Sequence, residues 1–539
     1  MGFAYDVFRL VFLYSLSQLM NKNYYIGIGG TGARLAEALV HLCAAGLGPE
    51  KLHLFLVDPD QANGNLARTL ELVDLYQKCQ EGYRNKGDMR HQLFRTKIVT
   101  PPSEVWAIFD REDMKLSEYV NLENLSQGNP AYAEFIRLLF TEQELETQLD
   151  EGFRGHPSIG AVTMANIPED KEPWKTFWED VETCQERHQA RVFLAGSIFG
   201  GTGAAGIPTF GAEDVIKFNQ RAAYEDGTSK VQLGAALVLP YFRFDIDPDA
   251  DEKEPMFVTA ADFPIATKAA LQFYSEKKLA FDDMYFVGDS LSQNVGSFSA
   301  GSKTQRNAPH YAEVAGALAA RDFFAQPRRD ELESETNYYI AARETPTVDW
   351  DALPSTRDSS QVPSESQSIK RRLATTTAFF HTLGTYGQSI LEASPRRIKD
   401  AWYKRNFGGR RDPDPRDPAS RAVLDDVSKY GQTFLAWITA IGEADKVELI
   451  DGTQIVSAGA DAGESDAIEL KNPQSHENSL GAFLQSVNSA GRTFASFRTD
   501  IDNVTINDKS LSASDRYLNI FHEAADTFCQ TNYNFDPEG

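Results

Sequence analysis

A chain of 539 residues can bury two or three cores, and its 78 acidic against 53 basic side chains leave a formal net charge of −25. That charge repels the phosphates of nucleic acids and of anionic lipid surfaces, so neither DNA, RNA nor a membrane is an expected partner. The four cysteines, Cys43, Cys79, Cys184 and Cys529, stand far apart with no C-x-x-C pair, which predicts neither a disulfide framework nor a structural zinc site and fits a reducing cytoplasm.

Residues 1–20 hold an apolar stretch from Val7 to Leu19, interrupted by Arg9. It is too short to span a bilayer and has no basic leader or small-residue cleavage site. It reads either as a short packing helix or as sequence upstream of a true start at Met20. The organised chain then opens with "YYIGIGG", a buried strand, followed by the helix "ARLAEALVHLCAAG", closed by Gly46, and a second buried strand, "KLHLFLVDPD". That is a βαβ unit. From about 70 to 150, segments such as "TLELVDLYQKCQ" and "AYAEFIRLLFTEQELETQL" predict a helical insertion, broken at Pro101 and Pro102.

The strand "ARVFLAGS" ends in a second glycine cluster, "FGGTGAAGIPTF", which leads into a helix expected to pass Asp214. Next come the strand "VQLGAALVLPYF", the acidic loop "DIDPDADEKEP", the helix "FPIATKAALQFYSEKK", the strand "DDMYFVGD" and a helix opening at "RNAPHYAEVAGALAARDFF". Alternating strands and helices predict an α/β fold with a doubly wound parallel sheet. After about residue 330 the texture changes. "NYYIAARETPTVDW" reads as a strand, "ALPSTRDSSQVPSESQS" as a solvated linker and "IKRRLATTTAFFHTLGTYGQSIL" as a long amphipathic helix. A C-terminal α+β domain with exposed loops is therefore expected over 331–539.

The glycines carry the chemistry. At a strand-to-helix turn they let backbone N–H groups approach a phosphate, and the helix N-terminus adds a favourable dipole. Gly27, Gly29 and Gly32 form G-x-G-x-x-G, with Asp58 ending the next strand where a dehydrogenase places a ribose-binding acid. Taken alone, the pattern is a weak signal, and a tight turn that packs a helix on a sheet is the lesser alternative. "VDPDQANGNLART" resembles ubiquitin-activating-type adenylating enzymes, in which residues matching Asp58, Asn65 and Arg68 surround ATP. The chain lacks their zinc cysteine pairs and an evident cysteine nucleophile, and that reading leaves the second glycine loop idle.

Two glycine loops without a Walker lysine imply a phosphate cradle of backbone amides and helix N-termini. "SIFGGTGAAG" resembles the signature loop of the tubulin and FtsZ family, with Gly200, Gly201, Thr202, Gly203 and Ala204 matching and Phe199 and Ala205 departing from the usual small residue and glycine. "RGHPSIGA" resembles the FtsZ loop that contacts the terminal phosphate, carried here by Gly155, Pro157 and Gly160, and "LPYFRF" resembles a segment leading to a ribose contact. The resemblance, closest to divergent bacterial tubulin-like proteins, covers roughly the first 330 residues and implies a GTP-binding domain over 21–330. It assigns the first loop, Gly29, Gly30, Thr31 and Gly32, together with Asp58 and the second loop, to GTP, with Mg2+ accompanying the nucleotide.

The same resemblance makes Asn307 the guanine reader, a role that competes with simple helix capping. It places the acid that orients water after the central helix, in "QPRRDELESE", with Asp330, Glu331 and Glu333 as candidates, and it implies head-to-tail self-association into filaments with GTP hydrolysis. "HYAEV" also resembles the FtsZ phrase carrying its catalytic acid, which would involve His310 and Glu313; that assignment leaves no central helix before the catalytic loop, so the later acids are preferred. No protein metal site is expected: the nine histidines show no ligand spacing, and Asp245, Asp247, Asp249 and Asp251 lack the glycine and closing glutamate of an EF-hand. An ATP-dependent adenylating enzyme and a non-hydrolysing nucleotide-dependent scaffold or sensor, with phage defence among its settings, are the alternatives.

Overall fold

The computed structural model describes residues 22–83, 93–109, 113–150, 153, 155–184, 189–245, 262–289, 293–297, 307–326, 335–342, 347–350, 365–409, 412–444, 446–457, 468–474, 480–484, 493–508 and 510–533. Strand β1 (Lys22–Ile28) passes directly into α1 (Gly29–Ala44), and β2 (Lys51–Val57) is followed by α2 (Gly64–Gly82). Helix α1 stops where Gly46 takes a φ of 74°, a left-handed conformation that favours glycine. Helix α2 starts because the Asn63 side chain accepts the amides of Asn65 and Leu66 at 3.0 and 3.4 Å, satisfying two orphan donors of the first turn.

Two short strands, β3 (Lys97–Val99) and β4 (Val105–Trp106), precede a run of short helices, of which α3 (Pro130–Leu139) is the longest. Helices α4 (Pro157–Met164) and α5 (Trp174–Glu182) lead to β5 (Ala190–Ser197) and α6 (Gly201–Phe210), then β6 (Val231–Val238), β7 (Phe242–Asp245), α7 (Phe263–Glu276), β8 (Asp283–Gly288), β9 (Gln293–Ser297), α8 (Tyr311–Ala325) and β10 (Asn337–Ala342). The C-terminal helices include α9 (Glu365–Thr382), α10 (Pro418–Gly442), α11 (Phe494–Asn503) and α12 (Ala513–Tyr533).

Eight strands make one sheet in the order β10-β8-β6-β5-β1-β2-β3, with β4 also beside β2, and every pairing in it is parallel, while β7 and β9 pair with each other in a separate two-stranded sheet. A parallel sheet must be covered on both faces. One face packs on α1, α2, α8 and the C-terminal helices, the other on α4, α5, α6 and α7. This is the doubly wound α/β arrangement that the alternation predicts. Strand order reverses between β1 and β5, so the connections leaving them diverge and open a crevice at the carboxyl ends.

Three expectations need correction. Helix α2 is no part of an insertion; it lies against α1, and the extra helices begin only after β4. The helix after the second glycine cluster ends at Phe210, short of Asp214, with Pro208 inside its last turn. The change of texture at 330 is also not a boundary of the core. Strand β10 closes the main sheet beside β8, with Ile340 opposite Phe286, and one continuous apolar cluster runs from Tyr25 to Tyr533. Among the described residues after 342 there are helices and isolated bridges but no further strand, so an α+β C-terminal domain is not seen there. Helix α10 instead lies on the α1–α2 face, where the Tyr430 hydroxyl is 3.2 Å from His41 Nδ1. Arginines fasten the same face: Arg95, Arg321 and Arg372 donate to the successive carbonyls of Gly48, Leu47 and Gly46 at 2.9, 3.0 and 2.7 Å. These carbonyls lie in the loop that follows α1, just past its last turn. Among the described residues, no helix is long and apolar enough to cross a membrane.

Candidate functional site at the sheet switch point

The crevice between β1 and β5 is floored by glycine backbone. Gly29, at a φ of 71°, stands against the second loop: a Cβ on it would lie 3.3 Å from Thr202 Cβ and 3.6 Å from the Gly203 nitrogen. Gly201 stands against a third segment, and a Cβ there would lie 3.1 Å from the nitrogen of Gly155, itself at a φ of 82°. The starts of α1, α6 and α4 therefore meet at one point. None of the three has a side-chain cap or an acidic residue in its first turn. Helix starts normally recruit an oxygen acceptor for their free amides. Three uncapped starts converging on one crevice offer a concentration of N–H donors and positive dipole ends to an anion.

The glycines divide into two groups. Gly30, Thr31, Gly200 and Thr202 are half-buried on the loop crests, while Gly29, Gly32, Gly201, Gly203 and Ala204 are buried beneath them. Gly32 is glycine because a Cβ would sit 2.5 Å from the Ala195 carbonyl oxygen and 2.7 Å from the Gly27 carbonyl carbon. Gly203 meets the Ser197 backbone in the same way, and Gly160 lets α4 approach α6, since its Cβ would fall 2.6 Å from Ala205 Cβ. These three are packing glycines. Gly30 is open, its nearest neighbours being the amides of Asn63 and Asn65 at 3.5 and 3.7 Å. Phe199, the bulky departure in the second loop, is turned into an aromatic cluster with Phe263 and Phe242, ring centroids 4.6 and 5.7 Å away. Pro157 is exposed at the start of α4.

Asp58 follows β2 directly and is buried, accepting the Asp60 amide at 3.1 Å. Burial pushes its carboxyl up to about 8, while the Asp60 hydrogen bond pulls the other way. Asn65 and Arg68, one turn apart on α2, point to the start of α8. Asn65 Nδ2 donates to Asn307 Oδ1 at 3.0 Å, the Asn307 backbone N–H donates to Asn65 Oδ1 at 3.0 Å, and Arg68 donates to the Asn307 carbonyl at 2.9 Å. Arg68 also grips Glu37 of α1, with donor–acceptor distances of 3.0 and 2.7 Å. Residues singled out from two different family resemblances thus form one cluster on the rim of one crevice. Asn307 does not cap α8; His310 does, through a reciprocal box with Glu313 in which Ala312 donates to His310 Nδ1 at 3.1 Å and the His310 amide donates to Glu313 at 3.1 Å.

Beneath the rim, Arg34 of α1 is paired with Glu313, which also accepts the Tyr241 hydroxyl at 2.9 Å. All three side chains are buried. Burial raises the Glu313 carboxyl against the pull of Arg34. His310 and Glu313 are thus engaged in the α8 cap, and Glu313 also in the buried ion pair. The sequence carried one signal of this network: Arg34 and Glu37 stand inside an otherwise apolar helix, where a charge persists only if partnered. Asp330, Glu331 and Glu333, the candidate catalytic acids, lie outside the described residues, as do residues 1–20 and most of the acidic loop. Among the described residues no group of three His, Cys, Asp or Glu is placed to hold a metal ion.

No protein-family model matches the chain, and no curated protein does. Among solved structures it is similar to CetZ2 from Haloferax volcanii, described as a GTPgS-bound protofilament, at 15% sequence identity and a TM-score of 0.27, over 56% of this chain and 58% of that one. The aligned part thus spans less than two thirds of the CetZ2 chain.

Proposed function

We propose that this chain is a tubulin/FtsZ-like GTP-binding protein that assembles head to tail and hydrolyses GTP across the subunit contact. The observation that carries the reading is the meeting of three uncapped helix starts at the switch point, with the Asn65–Asn307 pair on its rim. An extended triphosphate suits that geometry: its charges meet amides on the loop crests, at Gly30 and Thr31 and at Gly200 and Thr202, and its base reaches the amide pair. Mg2+ enters with the triphosphate, held by phosphate oxygens and water. Hydrolysis then needs an acid to orient water, and the segment after α8, with Asp330, Glu331 and Glu333, supplies it to the neighbouring subunit.

Calorimetry with GTP and ATP on the full chain tests the reading. GTP-selective binding that Gly30→Val abolishes, with the unfolding transition unchanged, is the expected result; no binding of either nucleotide overturns it. The adenylating-enzyme reading rests on Asp58, Asn65 and Arg68 lying together. In the structure Asn65 and Arg68 are engaged with Asn307 and Glu37, which disfavours a direct role on ATP. ATP–pyrophosphate exchange would reinstate it.

A further inference from the structure

Helix α3 is apolar on two sides, and only one of them is covered. Ala133 and Ile136, with Phe140 just past the helix end, are buried against the body. On the other side Tyr132, Phe135, Leu138 and Leu139 remain 52, 51, 84 and 56% exposed, at a spacing that sets them in one stripe down the helix. The stripe is held rigid. Asn129 caps α3 by accepting the Tyr132 amide at 3.3 Å, Pro130 opens its first turn, and a reciprocal box between Thr141 and Glu144 starts the next short helix. The Tyr132 and Phe135 rings lie 6.2 Å apart. Together with Ala131 the stripe carries no charge; Glu134 and Arg137 pair with each other at 2.7 Å, off the stripe. A contiguous apolar surface of this kind marks an interaction site. A bilayer fits it poorly, because helices that lie on membranes border their apolar face with Lys and Arg.

We propose that this stripe is an interface between two copies of the chain, with the α3 helices packed antiparallel about a two-fold axis near Phe135. The inference goes beyond the nucleotide reading and does not depend on it. At roughly 200 Å² for each fully exposed residue, the stripe leaves about 450–500 Å² in water, so two copies together bury on the order of 1,000 Å², the size at which specific interfaces begin. A two-fold axis lets one such surface serve both partners. The antiparallel arrangement brings the aromatic end of one stripe, at Tyr132, to the aliphatic end of the other, at Leu138 and Leu139, and sets opposite ends of the helix dipoles side by side. Head-to-tail chains joined through this contact run antiparallel.

Sedimentation velocity on the full chain without nucleotide tests it. The expected result is a monomer–dimer equilibrium with a midpoint in the micromolar range, since a contact of this size sits at the weak end of specific interfaces. Leu138→Glu changes the most exposed position of the stripe, so the melting temperature should hold while dimerisation weakens at least about thirtyfold, the two-fold contact carrying the change twice. Ile340→Glu, on the separate exposed patch of β10, should leave the dimer within about twofold of the parent. Raising sodium chloride from about 50 to about 500 mM should tighten the dimer by about threefold or more, because salt screens the repulsion between two chains of net charge −25 and spares an uncharged seam. Phe135→Cys should cross-link to the same position of the second copy under mild oxidation, against a low background because the four native cysteines are buried. A parent chain that stays monomeric to about 100 micromolar overturns the inference, as does a dimer that Leu138→Glu leaves intact. Equal losses from Leu138→Glu and Ile340→Glu overturn the two-fold arrangement in favour of a contact between unlike surfaces. Nucleotide binding, read separately by calorimetry, stands or falls independently of all these outcomes.

Discussion

His41 of α1 lies nearly parallel to Trp437 of α10, with ring centroids 4.6 Å apart and planes at 27°, and its Nδ1 meets the Tyr430 hydroxyl at 3.2 Å. The imidazole is buried, and desolvation lowers its pKa from 6.5 to about 3, with Arg68 adding to the shift. A histidine held neutral in the folded state binds fewer protons than in the unfolded chain between those two values. Its contribution is complete above pH 6.5 and is lost as pH falls toward 3, at a limiting slope of about 1.4 kcal/mol per pH unit. His381, lowered to about 4 chiefly by burial, acts in the same direction.

The expected outcome is a urea midpoint that falls between pH 7 and pH 5. His41→Phe, which keeps an aromatic ring against Trp437, should show a shallower fall. The difference between the two slopes isolates this residue from every other titrating group. Parallel slopes would show that His41 does not contribute.

The two glycine loops can be separated by substitution. Gly203→Val drives a side chain into the Ser197 backbone and should destabilise the fold by roughly 3 kcal/mol or more, because backbone cannot yield as a side chain can. Gly30→Val meets only two side-chain amides and should leave the melting temperature within a few degrees while removing GTP binding. Equal losses of stability in both variants would contradict the division into crest and packing glycines.

Arg34 and Glu313 form a buried pair completed by Tyr241. Removing one member leaves a buried charge without its counter-ion, so Glu313→Leu alone should cost about 3–5 kcal/mol. Arg34→Met combined with Glu313→Leu should recover much of that loss, since an apolar pair of similar volume carries no desolvation penalty. A double variant no more stable than the worse single would mean that packing around Tyr241 and the α8 cap, rather than the ion pair, sets the energy.

Head-to-tail assembly predicts an active site completed by a second copy. GTP turnover per molecule should rise at least tenfold from nanomolar to micromolar protein and track pelletable polymer, since positioning supplies orders of magnitude in phosphoryl transfer. Charge reversal of Asp330, Glu331 and Glu333 together should suppress turnover while GTP binding by calorimetry persists. Turnover per molecule that stays flat with concentration, from a protein that is a monomer by light scattering, would leave a nucleotide-binding scaffold or sensor.

Local pattern was legible wherever one element decided its own fate. "YYIGIGG" had to be a buried strand breaking into a turn, because its apolar run and its glycines act over a few residues, and the two glycine loops stood out by the same logic. The alternation of strands and helices carried the doubly wound sheet as far as β8. Tertiary structure alone decided the rest. Nothing in the composition of "NYYIAA" says that it pairs beside β8, or that helices beyond residue 365 complete the core begun at Tyr25. Which glycines bear on the crevice and which merely admit a neighbour depends on atoms brought from elsewhere in the chain, such as the Ala195 carbonyl beside Gly32. Asn65 and Asn307 belong to motifs 242 residues apart, and only the tertiary fold, which brings the first turn of α2 to the segment before α8, makes them one group. Side-chain periodicity records which face of an element is buried; it holds no record of the partner, because hydrophobic burial is non-directional and hydrogen-bond pairing is fixed only when the fold brings donor and acceptor within about 3 Å.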